Sequence, residues 1–287
     1  MLEGLPPRPS LPPRPHITVI LAMSADGKIA DARRAAARFP SLADKAHLEA
    51  QIAKADATLF GATTLRAYGT TLSITNPDLL AQRHQQNLPA QPIQIVCSAT
   101  GNLDPSWRFF SQPIPRWLIT TLEGIQTWQL AIDRSEISLS PYRLSSASRY
   151  QQQGNQQQGN QQQSKQILTK PFQHTFITER PFNWHNVLKD LRIGTRALST
   201  TSSRAPIRRL LVMGGGELVA SLLADHLIDE LYLTVCPLLI GGKTAPSPVG
   251  GLGFTLPNTP QLQLQSARTE GDEVFLHYTV RHDASSR

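Results

Sequence analysis

Apolar residues fall in short runs along this chain, separated by polar or glycine-rich stretches. His16–Met23, reading HITVILAM, is almost continuously apolar. Such a run predicts a central strand buried on both faces. Ala57–Phe60, Ile93–Cys97 and Trp117–Thr120 are shorter runs of the same kind, and Glu136–Leu139 is read as a further one. Intervals of roughly 20 residues fit repeated strand–connection–strand units. Ser41, with Asp44 three residues on, predicts a helix start, and Leu48, Ile52 and Ala55 give that helix an apolar face. Ala62–Ala67 reads as one or two helical turns stopped by Gly69. Residues 73–92 are polar and read as a loop with room for a short helix, whereas Phe182–Leu191 has helical spacing at Trp184, Val187 and Leu191.

The most informative stretch is 207–242. Ile207–Met213 is a strand-length apolar run, and Gly214, Gly215 and Gly216 follow at once. Glu217–His226 then pairs Leu218 with Leu222 and Val219 with Leu223 at helical spacing, and Leu231–Leu239 reads as the next strand. Strand, turn, helix and strand form a βαβ unit, which builds parallel sheets. The turn admits two readings. Without side chains a ligand's phosphates can approach the helix N-terminus. Alternatively, the glycines serve a tight turn that needs positive φ. Val219 stands where a full G-x-G-x-x-G would have its third glycine. Farther on, residues 241–260 are rich in Gly and Pro. Leu262–Ala267 and Glu273–Val280 flank Glu270-Gly271-Asp272, which predicts an antiparallel hairpin closing the sheet.

Composition adds boundaries to this picture. Of 287 residues, the first fifteen are Pro/Arg-rich and are expected to be a flexible tail, followed by one domain over 16–283. The QQQGN repeats at 145–165 can bury no core and are expected to be a disordered insert. The net charge of +7 is scattered and aromatics make up only 6%, so no nucleic-acid surface is expected. No apolar run is long enough to span a membrane, and no Cys/His cluster has metal spacing. Cys97 and Cys236 read as reduced buried thiols, which fits a cytoplasmic protein. There is no Ser/His/Asp arrangement and no carboxylate pair of a hydrolase.

Three segments carry a resemblance: AMSADGKIA (22–30), DATLFGATTL (56–65) and MGGGELVASLLADHLIDELYLTVCPLLIGG (213–242). In order and spacing the chain resembles the RibD-type C-terminal reductases of riboflavin biosynthesis. The resemblance implies a dihydrofolate reductase-like α/β fold: a mostly parallel central sheet of eight or nine strands flanked by helices, with a C-terminal antiparallel hairpin. It implies NADPH as cofactor, reduction of a ribosylaminopyrimidine phosphate as activity, and a homodimer. Carried over by motif, the cofactor residues are Ala22, Gly61, Thr63, Thr64, Ser98, Gly214, Gly215, Gly216, Glu217 and Leu218. The substrate side takes Asp26, Lys28, Tyr68, Leu72 and Met213. No catalytic residue is assigned.

The chain departs from that family's pattern on the substrate side. Ile20 and Ile52 stand where it usually has polar or basic groups, Tyr68–Leu72 where it has Asp-Asp-Pro-x-Leu, Thr75 near an Arg, and Met213 at an acidic position. If Ile20, Ile52 and Met213 line the pocket, it lacks charges for a phosphate. The remaining donors are then Lys28, Arg33 or Arg34, on the loop after the first turn. Asp26 reads either as a general acid or as a turn former. The competing functions are a reductase, a non-catalytic nucleotide-binding relative, and an interaction protein using the Gln-rich insert and the basic tail.

Overall fold

The computed structural model describes residues 14–39, 41–138, 171–193 and 206–281. The Gln-rich stretch and most of the N-terminal tail lie outside them. Arg14, assigned to the tail on sequence, is instead held by two hydrogen bonds to the Asp229 carboxylate, at 2.7 and 2.6 Å.

In chain order the elements are β1 (His16–Ser24), α1 (Leu42–Lys54), β2 (Ala57–Gly61), α2 (Ala62–Tyr68), α3 (Pro77–Gln85), β3 (Ile93–Cys97), α4 (Arg108–Ser111) and β4 (Arg116–Thr120). There follow α5 (Leu122–Ser138), β5 (His174–Ile177), α6 (Trp184–Ile193), β6 (Arg209–Val212), α7 (Gly216–Ala224), β7 (Glu230–Cys236), β8 (Gln261–Glu270) and β9 (Glu273–Arg281). The nine strands form one sheet in the order β5-β4-β3-β2-β6-β1-β7-β9-β8. Pairing is parallel from β5 to β7, and antiparallel at β7–β9 and β9–β8. This is the expected mostly parallel sheet with its closing hairpin.

The apolar run of β1 follows from its place in the sheet. Ile17, Val19 and Leu21 face one layer with α6 and α7, where Trp184, Leu188, Leu191, Val219 and Leu222 are buried. Ile20 faces the other layer, against Ile52 and Ala53 of α1. Farther along that second face, Phe60, Val96 and Leu118 meet Leu65 of α2, Phe109 of α4 and Trp128 of α5. With both faces covered, alternation disappears from the sequence. The β6–α7–β7 unit is present, but β6 and β7 are not neighbours: β1 lies between them and pairs with both. The glycine turn after β6 is thereby set between the carboxyl ends of β1 and β2.

Two elements correct the sequence expectation. Glu136–Ser138 is the last turn of α5, not a strand, and Leu139 falls outside the described residues. Ile125, Trp128 and Ile132 recur at helical spacing and pack on the aromatic cluster, which settles the segment as helix. Within 73–92 lies the nine-residue helix α3, capped by Asn76, whose side chain accepts from the N–H of Asp78 and Leu79, and begun by Pro77. Glu49 of α1 accepts from the N–H of Asn76 at 2.8 Å and from the Thr75 N–H, so α1 anchors the entry to α3. Burial works against ionising Glu49, but these hydrogen bonds outweigh it and lower its pKa.

Arg83 closes the same unit from the other side and is 1% exposed. Its Nη1 donates to the carbonyls of Ala53 and Ala55 at 2.8 Å each, and its Nε to Pro89 at 2.7 Å. A cation at the C-terminus of α1 suits the helix dipole and satisfies carbonyls the helix leaves open. Arg83→Met keeps the apolar stem and strands those acceptors. It is expected to lower the unfolding free energy by about 1–3 kcal/mol, read by urea denaturation. An unchanged midpoint would mean that water replaces the guanidinium there.

Candidate functional site

The carboxyl ends of β1, β2 and β6 meet around a junction made of backbone. Gly61 N–H, at the end of β2, donates to Gly214 O at 3.1 Å, and Met213 N–H donates to Leu59 O at 2.9 Å. Gly214 has φ +102, and a Cβ on it would lie 3.1 Å from Leu21 Cδ2. Gly216 opens α7, and a Cβ there would lie 2.4 Å from the backbone oxygen of Ser247. The loop after β7 approaches that closely because Gly250 N–H donates to Gly216 O at 3.0 Å. Gly215 differs from both. Its φ is −82, and a Cβ would meet only Thr64 Oγ1, at 3.7 Å. That Cβ would project into a cleft.

The cleft is partly open to solvent and its cavity volume is about 140 Å³, below the usual span of enclosed small-molecule sites, about 300–1,000 Å³. One wall is Gly215–Leu218, the first turn of α7. The facing wall is Gly61, Thr63, Thr64 and Tyr68, from the end of β2 and from α2. Ile29, Ala30, Arg34, Ala35 and Ala37 form the rim, with Pro246. Two helix N-termini thus face one space, and their first-turn N–H groups have no intrahelical partners. The field there favours anions. Glu217 is the one carboxylate of the lining, and its Oε2 accepts from Gly251 N–H at 3.1 Å, which ties it to the loop after β7.

Of the residues singled out on sequence, Gly61, Thr63, Thr64, Tyr68, Gly215, Gly216, Glu217 and Leu218 come together in this lining. Gly214 sits immediately beneath it, beside Leu21. Ala22 lies on β1 in register with Thr234. Ser98 lies at the end of β3, one strand beyond β2, where its Oγ accepts from Gly101 N–H at 3.1 Å and closes a turn. Lys28 is outside the lining and points its ammonium toward Ala245 O, at 3.4 Å. Leu72 and Met213 are absent from the lining too. Both pack against the apolar cluster of Ile20, Ile52, Ile74 and Leu211. Ile20 and Ile52 are 5% and 0% exposed, so the expectation that they line the pocket is corrected: they are core.

Asp26 has a defined role. Its carboxylate accepts from Ser24 Oγ at 2.6 Å, from Ile240 N–H at 3.0 Å and from Gly241 N–H at 2.6 Å. These bonds, that of Ser24 foremost, lower its pKa to about 2. At neutral pH the carboxylate is ionised. The geometry is that of a turn former which fastens the loop after β1 to the loop after β7. Tyr68 borders the cleft, and its hydroxyl donates to Ala37 O at 3.0 Å. Its pKa is raised, chiefly by burial. Pro246 and the 243–251 loop were not anticipated as part of the site; their Gly/Pro composition signalled only a loop.

A doubly covered parallel sheet with a glycine-lined cleft at its carboxyl end defines an α/β protein of the ligand-binding type, in which small molecules sit outside the strand ends. The RibD C-terminal domain family matches residues 15–142 and 154–276, and the chain belongs to that family. It is similar to the 2,5-diamino-6-ribosylamino-4(3H)-pyrimidinone 5′-phosphate reductase of Archaeoglobus fulgidus, with 22% identity over 241 residues, 84% of this chain and 89% of that one. It is also similar to the riboflavin biosynthesis protein RibD of Haemophilus influenzae, 24% identical over 278 residues that cover 93% of this chain and 59% of that longer protein. Among solved structures, a pyrimidine reductase-like protein from Corynebacterium diphtheriae superposes with a TM-score of 0.67 at 17% identity, covering 94% of this chain and 93% of its own.

The different surroundings of Gly215 and Gly216 yield a paired test. Gly215→Val fills the cleft without meeting protein backbone. It is expected to keep the parent's melting temperature within a few degrees and to weaken NADPH binding roughly tenfold or more. Gly216→Val forces the 246–250 loop away from α7 and is expected to destabilise the protein. Thermal melts and NADPH fluorescence titration read the two effects. Parental affinity in Gly215→Val would show that the ligand does not use this turn.

Proposed function

We propose that this protein is an NADPH-dependent reductase that converts a ribosylaminopyrimidine 5′-phosphate to the ribitylamino compound in riboflavin biosynthesis. The observation that carries the proposal is the cleft between the first turns of α2 and α7, in a chain of the RibD C-terminal family. The names of the relatives in Archaeoglobus fulgidus and Haemophilus influenzae supply the reaction and the pathway.

The residues fit a dinucleotide. A Cβ at Gly215 would occupy the space in which a pyrophosphate would approach the α7 amides, and the Thr63 and Thr64 hydroxyls stand across from it. Ser98, at the end of the next strand, lies on the side toward which the adenosine would extend. Ala22 lies near the end of β1, on the side of the nicotinamide. Bound NADPH supplies a hydride. In the overall change C1′ gains that hydride, the C1′–O4′ bond breaks, and O4′ takes a proton. In this reading the chain's own residues position the reactants. Asp26 fixes the loops after β1 and β7 relative to each other, and the 29–39 segment shields the mouth of the cleft. Tyr68, with its raised pKa, stays protonated across the neutral range.

We also place the partner of a homodimer on the hairpin. Every residue of β8 is exposed, Leu262 and Leu264 included, and β8 is an edge strand of the sheet. An unpaired, partly apolar edge is the surface that a second copy would cover. The free thiols of Cys97 and Cys236 agree with a cytoplasmic setting. Among the described residues no helix is long and apolar enough to cross a membrane.

The activity test is NADPH oxidation, followed at 340 nm, with the deaminated and with the amino-bearing ribosylaminopyrimidine phosphate. Turnover of either, faster with NADPH than with NADH, is expected. NADPH binding with neither substrate reduced would favour the non-catalytic relative. Light scattering should give the mass of two chains, falling to one in Leu264→Arg; a monomeric parent would remove the dimer.

A further inference from the structure

We propose that Arg34 is the phosphate-recognition residue of the cleft and takes the sugar-phosphate end of the substrate. This rests on the reductase reading for the identity of the substrate, and on the structure for the choice of residue. Arg34 is the one cation among the residues that line the cleft. Its guanidinium makes no hydrogen bond or ion pair among the described residues, whereas the neighbouring Arg33 is bound to Asp31 at 3.3 Å. The single carboxylate of the lining, Glu217, is engaged by Gly251. Lys28 is turned toward Ala245. The positions at which a cation on β1 or α1 would serve are filled by the buried isoleucines Ile20 and Ile52.

The backbone holds Arg34 at this place by a specific device. Its φ is +57, an uncommon conformation for a residue with a side chain. Asp31 imposes it. The Asp31 carboxylate accepts from the N–H of Arg33 at 3.0 Å and of Ala35 at 3.1 Å, and the Asp31 carbonyl accepts from Arg34 N–H at 2.9 Å. On either side of this turn the segment is fastened to a wall of the cleft. Ile29 N–H donates to Pro246 O at 2.9 Å, and Tyr68 Oη donates to Ala37 O at 3.0 Å. The backbone of Arg34 is thus fixed at the rim of the cleft, because such states persist only where their surroundings enforce them. A phosphate monoester carries about −1.5 to −2 charges at neutral pH. Guanidinium meets it with two parallel N–H donors, a geometry that an ammonium cannot supply.

The phosphate of a sugar substrate and the pyrophosphate of the cofactor share this chemistry, so the test separates them. The full chain, Arg34→Ala, Arg34→Asn and Arg34→Lys are titrated calorimetrically with ribose 5-phosphate, with ribose and with NADPH. Asn tolerates positive φ, which preserves the turn while removing the charge. The parent is expected to bind ribose 5-phosphate more tightly than ribose. The Ala and Asn variants should lose roughly tenfold or more of the affinity for ribose 5-phosphate, with Lys in between, and this loss should exceed any loss of NADPH affinity. Equal affinity of the parent for ribose and ribose 5-phosphate, or unchanged sugar-phosphate affinity in the variants, would overturn the assignment. Weakened NADPH binding with sugar-phosphate affinity intact would overturn it too, in favour of a cofactor phosphate. These titrations need no turnover. A parent that fails to oxidise NADPH therefore counts against the reductase reading alone.

Discussion

The close approach of backbone to backbone at Gly214–Gly216 is the constraint on which the carboxyl end of the sheet depends. β6 enters between β1 and β2, and the chain must turn there into α7 with Leu21 on one side and the 246–250 loop on the other. A side chain at Gly216 would collide with the oxygen of Ser247, and one at Gly214 would press on Leu21 and require an unfavourable φ. Only Gly215 faces open space. The tight-turn reading of the glycine run therefore applies to Gly214 and Gly216, and Gly215 is the member at which the proposed ligand would approach.

Around that junction hydrogen bonds secure the loops. Asp26 joins the loops after β1 and β7, Glu217 holds the loop that covers the start of α7, and Asp31 and Tyr68 set the segment across the mouth. The carboxylates of Asp26 and Asp31 have lowered pKa values because hydrogen bonds stabilise their charged forms. Ionised acids in these positions act as organisers of backbone. The cleft itself is left with one free cation among its lining residues, Arg34, and with the hydroxyls of Thr63 and Thr64.

Much of the fold was legible because burial on both faces writes itself into the sequence as uninterrupted apolar runs. β1, β2, β3 and β4 were read in this way, and the hairpin was read from alternation around Gly271. β5 was not, because His174–Ile177 is a half-exposed edge strand with little apolar signal. The helix α5 was misread at its end, where Glu136–Leu139 looks like a strand when taken apart from Ile125 and Trp128. In the site, the glycine turn and the Thr63–Thr64 turn were visible as motifs. The burial of Ile20 and Ile52 against each other was not, since apolar residues that line a pocket and apolar residues that fill a core look alike in sequence. Nor could spacing separate Arg34 from Arg33; Asp31 engages one and leaves the other at the cleft.

The central claim is that the first turns of α2 and α7 bind the cofactor. Amide hydrogen exchange of the full chain with and without NADPH tests it most directly, since those amides lack intrahelical partners and should exchange quickly in the free protein. The account predicts slowed exchange at residues 63–64 and 215–218 when NADPH is present, with the hairpin strand β8 unaffected. Unchanged exchange at both turns under saturating NADPH, or protection confined to another part of the sheet, would contradict it.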